Sequence, residues 1–143
     1  MALIDVGGAI RAGEDLDTVA IDRWLREHLS DLSNGLPEVT QYSGGASNWT
    51  YRLKYANHDL ILRRPPAGTK AKSAHDMVRE YRVQAALAEA YPVVAKMVAL
   101  CQDAEIIGCD FYVMHRIEGI IPRANLPKEL SLSREQVREL CTN

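Results

Sequence analysis

Several features that would assign a protein to a class at once are scarce in this chain. Its three cysteines, Cys101, Cys109 and Cys141, are odd in number and widely spaced. That pattern is typical of reduced thiols and not of a disulfide framework, so a cytoplasmic location is expected. The four histidines show no ligand spacing with each other or with the cysteines, and a structural metal site is therefore not expected.

The chain also lacks a long apolar run and an excess of either charge. No apolar stretch approaches the roughly eighteen residues that a spanning helix needs. The N-terminus lacks the charged start and long apolar core of a signal peptide. Seventeen Lys and Arg residues against nineteen Asp and Glu give a net charge of −2. Such a balance gives no general attraction to nucleic acid or to an anionic membrane, so neither is expected as a partner.

Two common nucleotide-binding motifs are absent as well. No Gly-Lys-Ser/Thr follows the glycines at positions 44 and 45, which excludes a Walker loop. A strand, and not a helix, is predicted after these glycines, which excludes a Rossmann turn. The chain otherwise has an ordinary composition: 143 residues, 47% hydrophobic and 25% charged, suit one globular domain with a sizeable core.

Hydrophobic periodicity predicts a helix followed by three strands in the first half of the chain. Ile21, Trp24 and Leu25 recur at helical spacing after Asp17, which suits an N-cap. Alternating side chains predict strands at 39–42, 49–55 and 60–64, the last ended by two prolines.

The second half is predicted to contain a long helix, two strands and a final helix. The long helix covers 74–91, and one face of its helical wheel carries Met77, Tyr81, Leu87 and Ala88. Strands are predicted at 94–100 and 110–116, joined by a polar hairpin. After a linker rich in Gly, Pro and Asn, the capping-box pattern Ser133-x-x-Gln136 predicts the last helix. Its apolar stripe is cut off at the end of the sequence, so the chain is expected to be part of a longer protein.

A glycine loop between two predicted strands is the first candidate binding element. It consists of Ser43, Gly44, Gly45, Ala46 and Ser47. Glycines let backbone N–H groups approach phosphate oxygens, and concave arrays of such groups favour anions. The alternative is a Gly-Gly hairpin turn without a ligand, which is common between strands.

The strand after this loop carries the second candidate, Arg63. Ile61 and Arg63 share one face of the strand because side chains alternate. If that face lies under the glycine loop, Ile61 packs against a nucleotide base while Arg63 reaches the phosphates. The alternative is a solvated basic strand end, which the neighbouring Arg64 makes plausible.

Glu80 is the third candidate, because it falls on the apolar face of the long helix. A carboxylate there is costly unless it is paired. The preceding strand offers Arg63 or Arg64 as the partner, and a strand cation held by a helix carboxylate is the ion pair of kinases. The alternative is a carboxylate at the edge of the stripe that reaches water.

The whole set resembles a known family. The matching segments are SGGASNWTYRL, LILRRPP, HDMVREYRVQAAL and FYVMHRIEG. In their order and spacing the chain resembles the N-terminal lobe of aminoglycoside phosphotransferase-like kinases, the phosphotransferase enzyme family. It is most similar in style to the branch whose kinase-like modules are fused to acyl-CoA dehydrogenases.

The resemblance implies a fold, a ligand and residue roles. The fold is α+β and protein-kinase-like, with a five-stranded antiparallel sheet, a packed helix and a leading helix. The implied cofactors are ATP and Mg²⁺, with residues 43–47 covering the phosphates, Arg63 contacting them and Glu80 orienting Arg63. Met114 would lie in front of the adenine pocket, and the His115 carbonyl and Ile117 N–H would contact the adenine edge.

Two departures from the family pattern affect this reading. The strand cation is Arg63 where the family commonly has lysine, and its planar fork is bulkier. No segment matches the catalytic loop H-x-D-x-x-x-x-N, so no catalytic residue and no metal ligand is assigned in this chain. The general base and the Mg²⁺ ligands are expected in a C-terminal lobe.

The sequence thus predicts four regions: a loose lead-in at 1–14, a nucleotide-binding lobe at 15–117, a linker at 118–130 and the first helix of a second lobe at 131–143. The full protein is expected to transfer the γ-phosphoryl group of Mg·ATP to the hydroxyl of a small molecule, while this chain alone is expected to be inactive. The alternative is a non-catalytic, pseudokinase-like or α+β interaction module. An exposed lobe-facing surface would favour dimerisation of the chain.

Overall fold

A computed structural model describes residues 7–42, 48–66, 76–118 and 131–142. The elements in chain order are α1 (Thr18–His28), β1 (Glu38–Gln41), β2 (Trp49–Lys54), β3 (Asp59–Arg64), α2 (Met77–Ala90), β4 (Met97–Cys101), α3 (Ala104–Ile107), β5 (Phe111–His115) and α4 (Arg134–Thr142). The chain divides into two compact units, residues 6–117 and residues 1–5 with 118–143.

The five strands form one antiparallel sheet in the order β1-β2-β3-β5-β4. This architecture confirms the α+β fold predicted from the sequence. The register aligns Arg52 of β2 with Ile61 of β3, and Ile61 with Met114 of β5. Directly opposed residues share a face of a sheet, so these three side chains lie on the same face.

One face of the sheet is covered by α1, which begins after the predicted cap: the Asp17 side chain accepts a hydrogen bond from the N–H of Ala20 at 3.1 Å. The Trp24 and Phe111 rings lie edge to face, with centroids 4.8 Å apart. The apolar core on this face comprises Ile21, Trp24, Leu25, Tyr51, Leu53, Leu60, Leu62, Phe111 and Val113. Burying this much apolar surface is the main stabilising term of the unit.

The lead-in, expected to be loose, pairs with the edge of the sheet over its described part. Gly8 and Gln41 exchange two backbone hydrogen bonds of 2.8 and 2.9 Å. The Gln41 side chain accepts from the N–H of Arg11 at 2.9 Å. A side chain at Gly7 would collide with Thr40, so the approach of this segment to β1 requires glycine.

The long helix α2 packs on β4 and β5 and begins at Met77, three residues later than the sequence predicts. Asp76 is its N-cap, with a side chain that accepts from the N–H of Arg79 at 3.0 Å. Met77 is buried as predicted. Leu87 is not: it is 45% exposed. Glu80 and Gln84 contact β5 instead, through the Tyr112 hydroxyl.

The connection between β4 and β5 is not the plain polar hairpin that the sequence predicts. It contains the single helical turn α3, capped by Asp103 and ended by Gly108 in the left-handed conformation. Ile106 and Ile107 pack against the core below α1. Because Ile106 and Ile107 are partly buried against the core, this segment forms a helical turn, although its polar composition predicted a simple hairpin.

The helix α4 belongs to the other unit and has the predicted capping box. The N–H of Gln136 donates to the Ser133 hydroxyl at 3.2 Å, and the N–H of Ser133 donates to the Gln136 side chain at 2.8 Å.

Candidate functional site

The second face of the sheet carries the predicted site residues of β3. Ile61 is 6% exposed and lies between Arg52 and Met114 of the neighbouring strands. Arg63 follows on the same face, between Thr50 and Tyr112. Ile61 therefore belongs to an apolar patch, and Arg63 lies at its border.

Arg63 reaches the helix carboxylate that the sequence proposed as its partner. Its Nη1 lies 3.8 Å from Oε2 of Glu80 and donates to the Tyr112 hydroxyl at 3.3 Å. Both charged side chains are 29% exposed. A pair of this length and exposure contributes little stability by itself. The ion pair instead orients the Arg63 guanidinium along the face of the sheet.

The neighbouring Arg64, which the sequence left open as an alternative partner, points elsewhere. Its guanidinium carbon lies 5.0 Å from the centre of the Trp49 ring, a cation–π distance. The alternation of β3 puts Arg63 and Arg64 on opposite faces, so only Arg63 meets Glu80.

Glu80 has further partners that pin both of its oxygens. Oε2 accepts from the Tyr112 hydroxyl at 3.1 Å, and Oε1 accepts from Nδ2 of Asn48 at 3.0 Å. Asn48 is 4% exposed and directly follows the glycine loop. The Glu80 carboxylate is thus paired with protein groups, and the alternative in which it extends from the helix edge into water does not apply.

Tyr112 is a site residue that the sequence did not identify. It is fully buried, and besides its contacts with Arg63 and Glu80 its hydroxyl accepts from Nε2 of Gln84 at 3.0 Å. Burial raises the pKa of the Tyr112 hydroxyl, Arg63 opposes that rise and Glu80 adds to it. The group therefore stays a neutral donor. Its position two residues before Met114, on the same strand face, was the available signal.

Of the predicted adenine-side residues, Met114 lies on this face, and His115 and Ile117 follow it at the end of β5. Met114 pairs with Ile61 on one side and Met97 on the other. The N–H of His115 donates to the carbonyl of Lys96 at 2.8 Å. Ile117 is 61% exposed. The base contacts predicted for Met114, His115 and Ile117 stay predictions.

The predicted glycine loop itself, Ser43, Gly44, Gly45, Ala46 and Ser47, lies outside the described residues. Its flanks are described. The N–H of Tyr42 donates to the carbonyl of Thr50 at 2.9 Å, which continues the β1–β2 pairing. Asn48, at the other flank, contacts Glu80. Both flanks therefore adjoin the face that carries Arg63.

The chemistry of this cluster suits an anion. Nε of Arg63 is buried and has no hydrogen-bond partner in the described part of the chain. A guanidinium that is held in place by Glu80 and Tyr112 and is 29% exposed fits a phosphate oxygen. Within the described ranges, no group of three or more His, Cys, Asp or Glu side chains could hold a metal ion. The helices described here include none that is long and apolar enough to cross a membrane.

Several known proteins are similar in sequence to this chain. Mouse acyl-CoA dehydrogenase family member 10 is 41% identical over 102 residues, 71% of this chain and 10% of that protein. Mouse acyl-CoA dehydrogenase family member 11 is 36% identical over 110 residues, 75% of this chain and 14% of that protein. The Arabidopsis thaliana protein described as probable acyl-CoA dehydrogenase IBR3 is 32% identical over 124 residues, 82% of this chain and 15% of that protein.

A solved structure is also similar. It comes from Ralstonia eutropha JMP134, is assigned as an aminoglycoside phosphotransferase, and is 33% identical to this chain with a TM-score of 0.62. The likeness covers 81% of this chain and 31% of that one. The chain thus spans a small part of the relatives that it matches. Residues 38–143 match the family described as phosphotransferase enzyme family. The resemblance predicted from the sequence is therefore confirmed, and this chain belongs to the phosphotransferase enzyme family.

Proposed function

We propose that this chain is the ATP-binding lobe of a small-molecule kinase. The observation that carries the proposal is the Arg63–Glu80 pair, bridged by the Tyr112 hydroxyl on one face of the five-stranded sheet. Family membership and the kinase-like fold support the same class of activity. Phosphoryl transfer depends mainly on positioning and on neutralising charge, and an oriented arginine serves both.

Each residue has a role in this proposal. Residues 43–47 would cover the phosphates with backbone N–H groups, and Arg63 would donate to a phosphate oxygen. Glu80 and Tyr112 hold the guanidinium in place. Ile61 and Met114 offer an apolar surface to the base, while the backbone of His115 and Ile117 would meet its edge. Bound ATP would supply the phosphoryl group to be transferred.

The rest of the reaction is assigned to parts of a longer protein. The sequence has no match to the catalytic loop of the family, and Glu80, the carboxylate beside Arg63, is already paired. We place the general base, the Mg²⁺ ligands and the site for the hydroxylated acceptor in a second lobe. The chain alone is then inactive. A cytoplasmic location remains a prediction from the cysteines.

A non-catalytic interaction module is the second candidate function. The observation in its favour is an apolar stripe on the outer side of α2: Val83, Leu87 and Tyr91 are 52%, 45% and 45% exposed. Exposed apolar patches commonly mark interaction surfaces. The expected dimerisation of the chain is checked by its mass in solution.

The test of the kinase proposal is calorimetric titration of the full natural protein with Mg·ATP. Arg63→Ala should weaken ATP binding at least about tenfold, since it removes a charge-assisted contact to the phosphates. Arg82→Ala, which removes an exposed arginine from the outer side of α2, is the matched control and should bind as the wild type does. An Arg63→Ala affinity within about threefold of the wild type would contradict the proposal.

A further inference from the structure

A second polar cluster occupies the opposite end of β3 from Arg63. Asp59 accepts two hydrogen bonds from the guanidinium of Arg52, from Nε at 2.8 Å and from Nη2 at 2.7 Å. This two-pronged geometry is the strong form of an arginine–carboxylate pair. The Arg52 guanidinium lowers the pKa of the Asp59 carboxyl and Arg116 lowers it further, so that the carboxylate stays charged.

Arg116 joins this pair from the segment after β5. Its Nη1 lies 3.2 Å from Oδ2 of Asp59, and its backbone N–H donates to the Asp59 carbonyl at 2.9 Å. Its Nε donates to the Tyr42 hydroxyl at 3.0 Å. The Arg116 side chain is only 7% exposed. Burying a charged guanidinium costs free energy unless a carboxylate, here Asp59, lies close to it.

The four members, Asp59, Arg52, Arg116 and Tyr42, are here called the Asp59 network. They lie next to the apolar patch proposed for the base. Asp59 precedes Ile61 by two residues on the same strand face, and Arg52 lies directly opposite Ile61. The network therefore shares the face that carries the proposed nucleotide site.

The network also joins two segments that the chain keeps far apart. Arg116 lies between His115 and Ile117, whose backbone is proposed to meet the base edge. Tyr42 directly follows β1. Through Arg116, the Asp59 carboxylate is thus linked both to Tyr42 and to the backbone that is proposed to meet the base edge.

We propose that Asp59 is a positioning residue for the nucleobase end of the site, which holds Arg116 and, through it, Tyr42 in place. The inference rests on the proposed function. Asp59 does not touch the phosphates in this scheme, whereas Arg63 does. Loss of the Asp59 charge should therefore weaken binding of a complete nucleotide and spare binding of a bare polyphosphate. A residue that only stabilised the fold would weaken both ligands equally.

The experiment compares Mg·ATP with inorganic tripolyphosphate as ligands of the full natural protein, by calorimetric titration. Asp59→Asn should weaken ATP binding about tenfold and change tripolyphosphate binding by less than about twofold. Tyr42→Phe removes only the hydroxyl that accepts from Arg116, and it keeps the test valid if Asp59→Asn fails to fold. It should show a smaller loss of the same kind.

Asp22→Asn is the matched control. Asp22 also holds an arginine, Arg26 at 2.9 Å, and a tyrosine hydroxyl, Tyr55 at 2.7 Å, but it does so on α1. It should leave both affinities unchanged.

Three outcomes would overturn the inference, and they are distinguishable. Equal weakening of the two ligands would make Asp59 a merely structural residue. If ATP binding were unchanged in both Asp59→Asn and Tyr42→Phe, Asp59 would have no positioning role, but the proposed function would still stand. A wild-type protein that binds neither ligand would overturn the proposed function and this inference with it.

Discussion

Tyr112 shows how a single hydroxyl organises the proposed phosphate end of the site. Arg63 and Glu80 are 3.8 Å apart, longer than a hydrogen bond, and the Tyr112 hydroxyl contacts both. It donates to the carboxylate and accepts from the guanidinium. A buried polar group that satisfies two charged neighbours fixes their geometry better than a half-exposed ion pair does.

Tyr112→Phe tests this role. The change removes the bridge and leaves partners of the hydroxyl unsatisfied, so the free energy of unfolding should fall by about 1–2 kcal/mol. The affinity for ATP should fall about three- to tenfold because Arg63 is no longer oriented. Chemical denaturation and calorimetric titration measure the two quantities.

Tyr55→Phe is the control for this substitution. The Tyr55 hydroxyl donates to Asp22 at 2.7 Å beside α1, remote from Arg63. It should cost a similar stability and leave ATP binding unchanged. If both variants lost affinity alike, Tyr112 would have no specific role in orienting Arg63.

At the scale of elements, the start of α2 sets the position of Glu80. Asp76 caps the helix four residues before Glu80, within the first turns. Side chains that accept from free N–H groups at a helix start stabilise the first turn, which otherwise frays. Fraying there would move Glu80 away from Arg63.

Asp76→Ala should lower the free energy of unfolding by about 1 kcal/mol and also weaken ATP binding. Asp17→Ala is the matched variant, because Asp17 caps α1 with an equivalent contact to Ala20. It should cost a similar stability without an effect on ATP. Thermal unfolding and calorimetric titration of both variants give the comparison. If neither variant lost affinity for ATP, the Asp76 cap would have no effect on the site.

At the scale of the whole unit, the sheet separates two tasks between its faces. The face toward α1 buries the apolar core, and the other face carries Ile61, Arg63 and Met114.

His115 lies on the core side at the end of β5, with its ring centre 6.3 Å from that of His58. Burial lowers the pKa of His115, and the charges of His58 and Lys96 lower it further, against a smaller effect of Asp31.

This lowered pKa makes the stability of the unit depend on pH. The unfolded chain binds a proton at His115 more readily than the folded chain does. Stability is therefore complete above the ordinary value of 6.5 and falls as the pH drops through it toward the lowered pKa. Urea unfolding between about pH 7.5 and pH 5 measures the slope.

His115→Gln should flatten this pH dependence, because it removes the group whose pKa is lowered. An unchanged slope in His115→Gln would show that another group titrates in this range.

The sequence by itself determined most of the elements, and it offered Arg63 or Arg64 as the partner of Glu80. Period-two alternation located β2 and β3, helical spacing located α1 and α2, and the high cost of an unpaired carboxylate on an apolar face predicted the contact of Glu80 with an arginine. These inferences succeeded because they depend on neighbours along the chain or on a charge that must be balanced. The family resemblance predicted that the sheet is five-stranded and antiparallel, and that it belongs to a nucleotide-binding lobe.

Only the tertiary structure decided which distant side chains complete the site. Tyr112, Asn48 and Gln84 reach Glu80 or its partners from separate elements, and Asp59 meets Arg116 across 57 positions of the chain. Leu87 is exposed, whereas Glu80 and Gln84 of the same helix contact Tyr112 of β5. Periodicity assigns a side chain to a face, but strand order and register determine what it meets there.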